Sequence, residues 1–336
     1  MKRIVIFVIC VILFVCLFQT SYETYDSVPT VSFPFKNLFD DKGNKLNIIL
    51  IAAPFREEKD EKLYESYKDQ GLSFCGISSY LDFPNPIDNP YEDRFHVARR
   101  HNYKEMVQGW LNCFRKPEYV HTISHLPNIL LTEADLKDIK NFEIPVKKEY
   151  DFLYCCLPDD DKCSPGWQSY NRNWDLAKKC LEIMCSVFKL RGAMVGRQNC
   201  DFTDQCNGIV KVFPALSYNE FQDVLKKSRF LFVPNISDAS PRVMTEAMCY
   251  NIPVLVNESI LGGWHNVVPG ITGEFFNNEM DISFALEKIL TKPYQPRKWY
   301  MENRGKEISG KQLADFLVKN YPNINNKDMK YATITV

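Results

Sequence analysis

Between Phe230 and Phe276 the chain reads FLFVPNISDASPRVMTEAMCYNIPVLVNESILGGWHNVVPGITGEFF, and this stretch holds the residues best suited to chemistry. An apolar strand ends at Pro234 and a polar loop follows. A helix is then predicted to begin with Ser240 as its N-cap and Pro241 at its first position. The unpaired N–H groups and positive dipole end of such a start make an anion site that suits a pyrophosphate. Asp238 precedes the helix and Glu246 lies inside it, with seven residues between them. Carboxylates are poor ligands for phosphate itself but good acceptors for the hydroxyls of a sugar or a ribose. After the next strand, Gly262-Gly263 lets the backbone approach a ligand closely, and Gly270 and Gly273 mark turns.

Such a segment needs a parallel sheet behind it. Asn47 to Pro54 (NIILIAAP) is a continuous apolar run ending at a turn, the pattern of a strand buried on both faces. A helix over Asp60 to Gln70, a strand over Ser73 to Tyr80, a helix near Tyr103 to Phe114 and a strand near Asn128 to Thr132 are expected next. After a polar stretch around Pro145 the alternation restarts. Strands are expected at Tyr150–Leu157, Gly192–Gly196, Ile209–Phe213, Arg229–Val233 and Ile252–Val256. Helices are expected at Asp175–Leu190, at Pro241–Tyr250 and from a capping box, Ser217-Tyr-Asn-Glu220, to Lys227. Strand–helix alternation in two runs predicts two α/β domains.

The 336 residues suffice for two such domains, and a 45% hydrophobic share with 23 Phe, 17 Tyr and 5 Trp argues against disorder. Lys+Arg 41 against Asp+Glu 42 leaves a net charge of -1, so no basic excess points to nucleic acid as a partner. No Gly-x-Gly-x-x-Gly follows either first strand, which argues against a nicotinamide dehydrogenase. Ile4 to Phe18 is unbroken apolar sequence behind Lys2 and Arg3. It reads as an uncleaved signal anchor or a cleaved signal peptide, with the remainder lumenal (ER/Golgi-like) in a single-pass type II arrangement, or secreted if cleaved. The twelve cysteines form no CxxC pair, so metal binding is not indicated. A bridge such as Cys200 with Cys206 stands against buried free thiols, and the adjacent Cys155 and Cys156 read as core. Sequons at Asn235 and Asn257 fall in the chemical segment, and the one at Asn235 is expected to carry no glycan.

The segment resembles the donor-binding signature of GT-B glycosyltransferases, especially glycosyltransferase family 4. Asp238, Glu246-Ala247-Met248, Pro253-Val254, Gly262-Gly263 and Thr272-Gly273 follow one another in the family's order, and the likeness covers about 150–320. Asp238 stands where the family usually has Glu, and Pro241 where it usually has Gly. The resemblance implies an α/β, GT-B fold: two Rossmann-like domains facing a cleft, behind an N-terminal hydrophobic anchor. The implied organisation is an anchor or signal peptide at 1–20, a stem at 21–44, an acceptor domain at 45–145, a nucleotide-sugar domain at 150–320 and a tail at 321–336. It further implies transfer of a sugar from a nucleotide-sugar to a hydroxyl of a glycan, glycoprotein or glycolipid, with retention and without a metal or other cofactor. The alternative is a membrane-anchored sugar-binding module without turnover.

Carried over by position, Asp238 would contact the donor sugar and Glu246 the ribose, with His121 or His125 beside the reacting sugar. Ser240, Pro241 and Arg242 would lie at the phosphates, Gly262, Gly263 and His265 at the sugar pocket, and Arg172 or Arg197 would be the phosphate cation. The loop 81–96, with Glu92, Asp93 and Arg94, is the expected acceptor element. Asp159-Asp160-Asp161 contains an Asp-x-Asp of the kind that holds a divalent metal in GT-A enzymes, although three acidic residues in a turn more often form a solvated loop.

Overall fold

In the computed structural model, residues 28–78, 83–84, 101–144 and 147–334 are described. The chain divides into two units, 1–30 and 31–336. Of the first unit only 28–30 are described, and they form neither helix nor strand. The predicted anchor and the acceptor candidates Glu92, Asp93 and Arg94 lie outside the described residues. Among those described, no helix is long and apolar enough to cross a membrane.

The described residues of the second unit form two six-stranded sheets. The first is built on β1 (Phe35–Asp40), β2 (Lys45–Ile51), β3 (Ser73–Ile77), β4 (Trp110–Asn112) and β5 (Asn128–Leu130), adjacent in that order. From β2 onward these strands run parallel, with helix α1 (Glu58–Asp69) between β2 and β3. Leu46 and Ile48 to Ile51 are fully buried, as a strand covered on both faces requires.

The second sheet comprises β6 (Tyr150–Cys155), β7 (Gly192–Val195), β8 (Val210–Phe213), β9 (Ser228–Val233), β10 (Val254–Asn257) and β11 (Gly273–Phe276), all parallel. Its spatial order is β11-β10-β9-β6-β7-β8. Helices α2 (Trp174–Ser186), α3 (Tyr218–Lys226), α4 (Arg242–Cys249) and α5 (Ile282–Thr291) connect or cover it. The Ser217 capping box opens α3 as its sequence predicts, with the Ser217 amide bonded to Glu220 Oε2 at 2.9 Å.

Four expectations need correction. The segment 21–44, read as a stem, contains β1. Asn37 and Asp40 break its apolar pattern, yet Phe35 and Leu38 are buried and the Asp40 carboxylate closes the hairpin to β2 through the Asn44 amide at 2.8 Å. The helix expected near Tyr103 to Phe114 is instead a turn leading into β4. There Trp110 lies fully buried against Gly76, where a Cβ would come within 2.2 Å of the indole, and its Nε1 donates to Ser78 Oγ at 2.9 Å.

The chain end is the third correction. After α6 (Pro296–Asn303), helix α7 (Gly305–Asn320) places Leu313, Ala314, Phe316 and Leu317 in the core of the first sheet. The expected tail then adds β12 (Ala332–Ile334), antiparallel to β1. Residues 305–334 therefore pack with the amino-terminal half. Last, among the described residues the disulfides are Cys163–Cys200 and Cys185–Cys206 rather than Cys200–Cys206.

Candidate functional site

In the second sheet, β6 leads outward to β7 and β8, and the chain then crosses back to place β9 on the other side of β6. At such a reversal the loops leaving the two central strands diverge and open a crevice at their carboxyl ends. A cavity of about 780 Å3 occupies this place. Cys155 and Leu157 line it from the end of β6, Val233 and Asn235 from the end of β9, and Ser240 to Val243 from the start of α4. Arg172, Asp238, Glu246 and Lys137 complete its polar wall.

Asp238 is held on three sides. Asn235 Nδ2 donates to its Oδ2 at 3.1 Å, the Ser240 amide to its Oδ1 at 3.3 Å, and Arg172 Nη1 pairs with Oδ2. Burial works against the Arg172 charge, but the Asp238 carboxylate outweighs it and the guanidinium pKa is raised. Arg172 directly follows a short helix, Trp167–Asn171, whose start is fixed by Asp159 accepting from the Gln168 and Ser169 amides at 2.6 and 2.9 Å. Asp160 closes the adjoining turn through the Lys162 and Ser164 amides, each at 2.9 Å. These two members of the acidic triplet therefore serve the backbone. Among the described residues no group of three His, Cys, Asp or Glu side chains is arranged to hold a metal.

Glu246 is buried on α4. Lys137 Nζ donates to its Oε1 at 2.6 Å and Gln222 Nε2 to its Oε2 at 2.9 Å. Neither partner was foreseen. Lys137 comes from the amino-terminal half, just past a single turn of 3-10 helix, Glu133–Leu136, and no local motif marks it.

The start of α4 differs from its sequence reading. Pro241 occupies the cap position and Ser240 lies outside the helix, its Oγ accepting from the Ala134 amide at 3.1 Å across the junction of the two halves. Arg242 is exposed at the cavity mouth. Gly262 and Gly263 support the loop below: the Gly262 amide donates to the Asp238 carbonyl at 2.9 Å, and Gly263 adopts φ +73 against the Pro241 ring.

Four candidates lie elsewhere. Arg197 is fully buried behind the site, with Nη2 donating to Ser169 Oγ at 2.8 Å and its guanidinium over the Trp174 ring at 5.0 Å, so it braces the helix before Arg172. His121 and His125 are exposed and do not line the cavity. The His265 side chain is buried at the junction of the halves. Its Nε2 sits 3.0 Å from Asp135 Oδ1, which also accepts from Asn266 Nδ2 at 2.7 Å. Burial would raise the Asp135 carboxyl, but His265 and these hydrogen bonds hold it at about 2. Both sequon asparagines are buried, and Asn257 Nδ2 donates to the Asn277 carbonyl at 3.1 Å.

No protein-family model matches the sequence, and no curated protein does either. Solved structures do match the fold. Sucrose-phosphate synthase from Thermosynechococcus elongatus aligns at a TM-score of 0.54 with 13% identity, over 75% of this chain and 68% of that one. The lipopolysaccharide outer core galactosyltransferase WaaB aligns at 0.54 with 12% identity, over 81% and 75%. HepE of Anabaena, solved with UDP and glucose, aligns at 0.55 with 10% identity, over 81% and 78%. At these identities the likeness establishes the two-sheet α/β architecture.

Proposed function

We propose that this chain is a glycosyltransferase that moves a sugar from a nucleotide-sugar to a hydroxyl of a glycan, glycoprotein or glycolipid, with retention and without a metal. The observation that carries this reading is the meeting of Asp238, Glu246 and Arg172 in one cavity, at the strand reversal and beside the start of α4. The diphosphate lies against Arg172 and the first turn of α4, where a cation and a helix N-terminus take up charge as the leaving group departs. Asp238 accepts from hydroxyls of the donor sugar and Glu246 from those of the ribose. The bond between the anomeric carbon and the diphosphate breaks, a bond to the acceptor oxygen forms on the same face, and the acceptor proton passes to a diphosphate oxygen. No side-chain base is required, which accords with the placement of His121 and His125 away from the cavity. A metal is dispensable in this scheme because Arg172 and α4 supply the electrostatic stabilisation.

The acceptor approaches from the first sheet, with 81–96 as its binding element. The apolar run 4–18 behind Lys2 and Arg3 anchors the protein in a membrane as a type II protein with the catalytic part lumenal. The two disulfides suit an oxidising compartment.

A second reading, a binding module without turnover, is favoured by one observation: both cavity carboxylates already hold cations, Asp238 through Arg172 and Glu246 through Lys137. The deciding experiment is hydrolysis and thermal shift of the full chain with UDP-, GDP- and ADP-sugars, with and without EDTA. Turnover of one donor in EDTA supports the transferase. Stabilisation by a donor with no turnover in either condition supports the module.

A further inference from the structure

We propose that Lys137 is a positioning residue of the donor site, lent by the amino-terminal half to aim the Glu246 carboxylate at two adjacent hydroxyls. The proposal rests on the reading of Glu246 as the ribose contact. Its basis is the way that carboxylate is held. Lys137 grips one oxygen at 2.6 Å and Gln222 the other at 2.9 Å, and the side chains of Lys137 and Glu246 are only 13% and 7% exposed. One donor on each oxygen fixes the plane of the carboxylate and still leaves each oxygen a free lone pair. That pair of acceptors matches a vicinal diol, the 2′- and 3′-hydroxyls of a ribose.

Lys137 also answers an electrostatic problem. A buried carboxylate beside an anionic diphosphate is costly unless a cation accompanies it. Within α4 and α3 the nearest partner, Gln222, is neutral, so the charge is supplied from the other half of the molecule. Lys137 is well placed for the task. Its amide donates to Tyr300 Oη at 3.2 Å and its carbonyl accepts from the Lys306 amide at 3.2 Å, so the backbone beneath the side chain is fixed. The neighbouring Ala134 is tied to Ser240, which lines the same cavity. The donor site is thus composite, and the carboxyl-terminal half alone does not complete it.

The test is calorimetric titration of the full chain with UDP, GDP and ADP, followed by the 2′,3′-dideoxy form of whichever binds tightest. Wild type should prefer the ribose form by about tenfold or more, the scale of one or two hydrogen bonds to a charged acceptor. Lys137→Met should reduce that preference to about threefold or less, and Lys137→Arg should restore most of it, whereas a merely structural role would weaken both ligands alike. Lys137→Gln, which keeps the length and loses the charge, gives an intermediate preference and serves if the Met variant does not fold. Retention of the full preference in Lys137→Met or Lys137→Gln, together with its loss in Glu246→Gln, would overturn the role of Lys137 and leave the ribose contact standing. Retention in Glu246→Gln as well would overturn the ribose contact itself.

Discussion

Gly262 lies so close to Ala239 that a Cβ on the glycine would come within 1.8 Å of the Ala239 carbonyl oxygen. The Gly262 amide also donates to the Asp238 carbonyl, so this glycine clamps the loop that presents the cavity carboxylate. The obstructing atoms are backbone and cannot swing aside. Gly262→Ala should cost about 1–3 kcal/mol of stability through forced displacement of the 235–240 loop. It should also weaken nucleotide binding, measured by titration beside a thermal melt.

Among the described residues Arg172 is the one cation paired with Asp238. On the proposed mechanism its removal strips charge stabilisation from the departing diphosphate. Arg172→Ala should lower kcat/KM by about 10²–10³-fold. Arg172→Lys should fall between, because an ammonium keeps the charge without the two-pronged grip. Steady-state kinetics on the active donor checks the order of the three proteins.

The Asp135–His265 contact joins the two halves and sets a pH dependence. The Asp135 carboxyl sits at about 2 in the folded chain against an ordinary 3.8. A depressed carboxyl stabilises the fold above its unfolded pKa, and that contribution is lost as pH falls from about 4 toward 2. The amount is about 2 kcal/mol. Urea midpoints of wild type and Asp135→Asn should therefore differ most at pH 5 and converge near pH 2.

The bridges Cys163–Cys200 and Cys185–Cys206 close loops with sequence separations of 37 and 21 residues. Loop closure of that size contributes about 3–4 kcal/mol each. Dithiothreitol should lower the melting temperature, and non-reducing peptide maps should recover these two pairs and no Cys200–Cys206 peptide.

Five of the six strands of the second sheet were legible because they read as apolar runs, such as Phe230 to Val233, between helices with recognisable starts; Gly273, read as a turn, instead opens β11 and pairs with Val254. The first sheet was less so. In β1 the polar Asn37 accepts from the Val31 amide and Asp40 closes a hairpin, and around Trp110 a buried indole stacked over Gly76 decides for strand where local pattern suggests helix. The same division runs through the site. Asp238, Glu246 and Arg172 meet in one cavity as their order along the chain implies. The burial of Arg197 and the approach of Lys137 depend on distant segments coming together, and no spacing of residues encodes either. Ser240 looked like a helix cap because a serine before a proline usually is one. Here its hydroxyl is taken by Ala134 from the other half.

The most direct test is nucleotide-sugar hydrolysis by the full chain in EDTA, comparing wild type with Glu246→Gln and Asp238→Asn. Turnover of a single donor by wild type, falling at least about a hundredfold in both variants, is the predicted result. Equal turnover in all three proteins, or activity that EDTA abolishes, would contradict a metal-independent transferase working from this cavity.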